Sequence, residues 1–275
     1  LTLSTYHGRH RMPLVFGPTA GPRQGPDGGK FDMSRTPRTT ATVSFLTETE
    51  ALRGLLPPGC EPVGEPVVTV EHTQLRELAW LAGRGYSMLG VKYPVRFVGD
   101  AEQLNGTFLA VLWENMPEPI LSGREEIGWA KIYCELPPPR VFEHQAHYRA
   151  VWDGHVFLNL TLEDLSPGDP PPPPPPDHAG LLHHRFLPKV STKGETEVEQ
   201  MILTPASAGA QVHYDRVLRG SGKVEFVPSR WEQLPTMFHI VNKLAALPVV
   251  EWRGGSLIDS CGASDLSDQR ILTSS

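Results

Sequence analysis

The chain has 275 residues, 39% of them hydrophobic and 20% charged, with a formal charge of −6. That balance fits one large globular domain or two small ones and excludes an electrostatically driven nucleic-acid binder. No apolar run reaches the roughly 20 residues of a membrane-spanning helix, so no membrane partner is expected.

Residues 1–31 read as an irregular segment. Leu1 to Arg11 is polar and lacks a signal-peptide pattern, and residues 12–30 are rich in Gly and Pro. A single domain is expected from 32 to 262. Arg38–Phe45 reads as a strand from its Thr and Val content. Thr47-Glu48-Thr49-Glu50 has the spacing of a capping box, predicting a helix over Glu48–Leu56 that Pro57-Pro58-Gly59 stops. Pro66–Leu75 and Tyr86–Phe97 read as strands, and Gly106–Trp113 as an apolar strand buried on both faces.

Ile120–Gly128 is expected to be a short helix or turn, followed by a strand over Ala130–Glu135. His144–Trp152 and Gly154–Leu162 read as a hairpin turned at Asp153-Gly154. Pro170 to Pro176 is a run of seven prolines. It favours a stiff polyproline II spacer and reads as an exposed insertion near 167–178. Strands are expected over Leu181–Val190, Val198–Leu203 and Ala210–Leu218, and a helix over Pro235–Leu247, where Pro opens an apolar stripe. The Ser- and Asp-rich tail, 263–275, reads as flexible. The sum is an α+β domain, mostly antiparallel sheet with a few helices. Cys60, Cys134 and Cys261 are few, far apart and odd in number, which favours a reducing, cytoplasmic setting.

The most informative stretch is Gly123-Arg124-Glu125-Glu126-Ile127-Gly128-Trp129-Ala130-Lys131-Ile132. It sets one lysine among apolar neighbours. Burial disfavours an ammonium, and Ile132, Trp129 and Tyr133 are expected to desolvate Lys131. A neutral lysine amine attacks carbonyls and forms Schiff bases. The eleven histidines include His144 and His147, spaced by three, and the adjacent His183 and His184. No HExxH or CxxC pattern accompanies them, so no metal is expected.

This segment resembles the acetoacetate decarboxylase superfamily, in which a GRE triplet precedes a Schiff-base lysine. Lys131 stands six residues after Glu125. Further pieces agree in order: Val43 to Pro58, Glu71 in a strand, and Tyr86-Ser87-Met88-Leu89-Gly90 followed by Tyr93-Pro94-Val95. The resemblance implies a cone-like β-barrel or sheet and a homo-oligomer. Two positions depart from the decarboxylase pattern. Met88 stands where decarboxylases carry a second catalytic glutamate, and Ile132 where they carry a second lysine. The chain is therefore closer to the aldolase-dehydratase members.

The resemblance thus implies a lyase without metal or organic cofactor, acting on a small-molecule keto acid such as pyruvate and an aldehyde. Lys131 is expected as the nucleophile and Glu71 as the base. Arg38 is expected to hold the substrate carboxylate, and Tyr86 to offer a hydroxyl. Met88 and Trp129 would line the pocket, with Arg124 and Glu125 bracing the lysine. The alternatives are decarboxylation of an acetoacetate-like β-keto acid, hydratase or retro-aldol work on an unsaturated 2-oxo acid, and a non-catalytic binding protein.

Overall fold

The computed structural model of the chain describes residues 8–206, 212–263, 266 and 268–272. Its elements in order are β1 (Pro37–Leu46), α1 (Thr49–Arg53), β2 (Cys60–Pro62), β3 (Val67–Leu78), β4 (Arg84–Val98), β5 (Gln103–Glu114) and α2 (Pro117–Glu126). There follow β6 (Lys131–Tyr133), β7 (Arg140–Phe142), β8 (Gln145–Trp152), β9 (His155–Pro167), β10 (His178–Pro188) and β11 (Thr196–Pro205). The last are β12 (His213–Phe226), α3 (Phe238–Ala245), β13 (Glu251–Cys261) and β14 (Arg270–Leu272). All strands join one 14-stranded sheet that does not close. Its main path runs β14-β11-β10-β5-β4-β3-β1-β13-β12-β9-β8-β7, with β2 on β4 and β6 on β5. The sheet is mostly antiparallel; β5 pairs parallel with both β10 and β6. Among the described residues no helix is long and apolar enough to cross a membrane.

Alternation along the strands sorts the residues. Ala41, Val43 and Phe45 of β1, Val68 and Val70 of β3, and Leu89 and Val91 of β4 point to one side. There they meet Val241 and Leu244 of α3 in the core. The register places Arg38, Thr40 and Thr42 beside Leu75, Thr73 and Glu71 on the other side. Tyr86, Met88 and Gly90 extend that row onto β4. This second face carries the polar chemistry.

Several elements differ from the sequence reading. The capping box does not form: Thr47 Oγ1 has no hydrogen-bond partner, and its N–H is held by the Pro66 carbonyl. The sheet thus claims the residue that would have opened the helix, and α1 is shorter than expected. The Asp153-Gly154 hairpin turn has positive φ at both residues, 47° and 78°, as a tight primed turn requires. The expected strand from Ala210 begins outside the described residues and continues as β12. Beyond Gly262, β14 pairs with β11 and Arg270 holds Glu102, which gives the tail a paired segment; 264, 265, 267 and 273–275 lie outside the described residues. β13 was not expected at all. Gly254, at φ 79°, makes an irregularity inside this central strand, which lies between β1 and β12.

His72 is on the core side of β3, 2% exposed and tilted on Tyr148 at 4.7 Å. Neither ring nitrogen has a hydrogen-bond partner, and burial pushes the imidazole down to about 4. An unfolded chain takes up this proton near pH 6.5. The stability contributed by neutral His72 is therefore complete above pH 6.5 and is lost as pH falls towards 4. His72→Leu is predicted to raise stability at pH 7 by about 1 kcal/mol and to flatten the acid loss between those values. Urea titrations of both proteins across pH 4–7 check it.

Candidate active site

Lys131 is the first residue of β6, which lies parallel against the end of β5. Its side chain is 5% exposed. The seat is built by α2. A Cβ on buried Gly123 would stand 2.3 Å from Lys131 Cδ and 2.4 Å from Cε. Only glycine lets the lysine stem cross the helix there, which gives the GRE glycine a steric reason. Arg124 Nη1 donates to the Lys131 carbonyl at 2.9 Å, which ties α2 to the lysine segment. Glu125 contributes its backbone carbonyl, which accepts from Arg185 Nη2 at 2.8 Å.

Lys131 Nζ donates to the Pro119 carbonyl at 3.0 Å and lies 2.8 Å from Glu114 Oε1. Glu114 is fully buried at the end of β5, and its Oε2 has no hydrogen-bond partner. Burial drives the Lys131 amine down against the pull of the Glu114 charge. Burial likewise drives the Glu114 carboxyl up against the pull of Lys131. Both shifts favour a neutral amine beside a neutral acid over a buried ion pair.

Glu114 was not among the expected residues. In the register of β4 and β5 it stands directly opposite Met88. A carboxyl group thus stands on the neighbouring strand, beside the position of Met88. A glutamate closing the apolar run Leu109 to Trp113 was the available signal.

The apolar cover of Lys131 also differs from expectation. Ile132 points away, as alternation requires, and packs against the core. Tyr133 is 45% exposed and does not shield the amine. Trp129 does, with its ring centre 5.2 Å from Nζ. Trp129 stacks at 4.7 Å on buried His183, whose Nε2 meets Thr204 Oγ1 at 3.0 Å. Burial, reinforced by the Lys131 charge, pushes His183 down to about 3, so this ring stays neutral.

A cavity of about 450 Å³ opens on this group. Lys131, Arg38, Tyr86, Met88 and Trp129 all line it. Arg38 Nε donates to Ser260 Oγ at 3.1 Å, and the guanidinium makes no ion pair among the described residues. Burial, with the Glu114 charge adding to it, keeps the Tyr86 hydroxyl above the usual phenol range and hence protonated. Glu71 is not brought to the lining. It faces the same side but is held by Lys92 at 2.8 Å. Burial raises its carboxyl, but the charge and hydrogen bond of Lys92, with Arg38, carry the balance below the ordinary value. That makes it a weak, occupied base. Among the described residues no three His, Cys, Asp or Glu side chains form a metal-holding group.

The sequence profile of the acetoacetate decarboxylase (ADC) family matches residues 11–261. The chain belongs to this family. The match starts ahead of Asp32, and that early segment is tied to the site. Arg11 pairs with Glu126 of α2 at 3.0 Å, and Pro22 and Met33 are on the cavity wall. Comparison with curated protein sequences gives no match. Solved structures share the family fold. Acetoacetate decarboxylase from Legionella pneumophila is 18% identical with a TM-score of 0.64, over 87% of this chain and 86% of its own. The enduracididine biosynthesis enzyme MppR, complexed with pyruvate, is 16% identical with a TM-score of 0.62, over 92% and 99%. An acetoacetate decarboxylase-like enzyme from Sphingomonas wittichii RW1 is 17% identical with a TM-score of 0.58, over 89% and 95%.

The seat of the lysine is open to a direct test. Gly123→Ala is predicted to displace Lys131 and lower covalent trapping of a keto acid by about 100-fold, since misplacement by an ångström costs that much. Borohydride trapping followed by mass spectrometry measures it, with circular dichroism reporting the fold.

Proposed function

We propose that the protein is a Schiff-base lyase that condenses pyruvate, or a similar 2-oxo acid, with an aldehyde and dehydrates the product. One observation carries this reading: a buried lysine amine 2.8 Å from a buried carboxyl group, on a cavity that also holds an arginine. The amine of Lys131 attacks the keto carbon, and Glu114, as the neutral acid, gives its proton to the departing hydroxyl. The resulting iminium withdraws electrons, and the Glu114 carboxylate takes a proton from the adjacent methyl group to leave an enamine. The enamine carbon bonds to the aldehyde carbon, and Tyr86 or Glu114 protonates the new alkoxide. Loss of water forms the double bond, and a second water frees the lysine. In balance, one 2-oxo acid and one aldehyde give one unsaturated 2-oxo acid and one water. Arg38 holds the substrate carboxylate through its planar fork.

The cavity size supports a two-substrate reaction. Pyruvate or acetoacetate alone fills a small part of about 450 Å³. The relative MppR has been seen with the condensation product of pyruvate and imidazole 4-carboxaldehyde, which is in keeping with this chemistry. Decarboxylation of a β-keto acid is the second reading. Glu114 favours it, because the site does hold a carboxyl group beside the lysine.

Incubation with pyruvate and borohydride is predicted to add one reduced pyruvate to Lys131, and Lys131→Ala to abolish it. Glu114→Gln should keep trapping but cut turnover by about 100-fold or more, the usual contribution of a proton-transferring group. Glu71→Gln should cost far less. Carbon dioxide release from acetoacetate without turnover of any pyruvate–aldehyde pair would sink the condensation and leave the decarboxylase.

A further inference from the structure

One residue of the proline run, Pro174, lines the cavity. The run joins β9 to β10, which have six strands between them in the sheet, so it crosses over the face that carries Arg38 and Met88. Both of its ends are tied down. The Gly168 N–H is held by the Val217 carbonyl at 3.1 Å, and Arg219 Nη2 donates to the Asp169 carbonyl at 3.1 Å. At the far end Asn105 Nδ2 donates to Asp177 Oδ2 at 2.7 Å, and His178 Nε2 meets Thr107 Oγ1 at 3.0 Å. Between these anchors Pro174, an exposed residue, is on the cavity wall.

Seven consecutive prolines have no backbone N–H and little conformational freedom. Pro174, held in such a run, offers the cavity a ring face and no donor, and it loses little entropy when a ligand packs on it. Trp80 and Tyr86, in edge contact at 6.5 Å, are on the same cavity, as are Leu75, Leu78 and Ile127. Proline faces and aromatic side chains together suit a flat, uncharged ring. We propose that the proline run is the specificity wall for the second substrate, and that this substrate is an uncharged aromatic aldehyde. The assignment rests on the Schiff-base reading and adds the class of aldehyde to it.

The test has two stages. Wild-type protein is first treated with pyruvate and borohydride. If no adduct forms, the Schiff-base reading fails and the substrate assignment falls with it. With an adduct, kcat/KM is measured for benzaldehyde and for acetaldehyde at saturating pyruvate, by the absorbance of the conjugated product. The wild type is expected to prefer benzaldehyde by about tenfold or more. The triple variant Pro173→Gly, Pro174→Gly, Pro175→Gly is expected to lose most of that preference through a higher KM for benzaldehyde. The ratio isolates the wall, because a general loss of folded protein lowers both values equally. Pro174→Ala, a milder change, is expected to shift the ratio the same way by about threefold, and it decides the matter if the triple variant does not fold. A wild-type preference for acetaldehyde, or an unaltered ratio in the folded variants, overturns the wall while leaving the lysine chemistry in place.

Discussion

The site depends on keeping one amine and one carboxyl group out of water together. Either group alone at this depth would be costly, and each is tolerable because the other stands 2.8 Å away. The same burial weakens the charged form of both. In the proposed chemistry neutral lysine is the nucleophile and neutral glutamic acid the proton donor, so the environment that strains the pair would also activate it. The closeness of Gly123, the carbonyl of Pro119 and the cover of Trp129 all maintain that dry contact.

The second requirement is that the buried pair meet a substrate. The sheet meets it by dividing its labour between faces. Its apolar side packs on α3 and the core, while its other side carries Arg38, Tyr86 and Met88 beside the lysine segment. Loops complete the enclosure: the early segment through Pro22 and Met33, and the proline run through Pro174. Segments that look like irregular filler in the sequence thus form walls of the cavity.

What could be read in advance followed from how local each signal is. Lys131, Gly123 and Arg124 belong to one short stretch, and the strands β1, β3 and β4 announce themselves through Thr, Val and alternation. Glu114 could not be linked to Lys131 in that way, because strand register brings the two together. The same register decides that Glu71 answers to Lys92. A pattern of residue types cannot say which cation a strand carboxylate will face. One local signal also misled, because the sheet overrode it: Thr47 is drawn into the pairing of β1 with β3.

The two parallel partners of β5 share one of its edges. β10 occupies the stretch from Asn105 to Phe108, and β6 the stretch from Leu112 to Glu114. A residue edge can bond only one neighbour, so the sheet forks along this strand, and the unit formed by α2 and β6 is docked on half an edge. Lys131 therefore rides on a small separate cassette, while Glu114 beside it belongs to the continuous frame of the sheet. Evolution can retune the lysine's seat by editing that cassette without unpicking the scaffold beneath it.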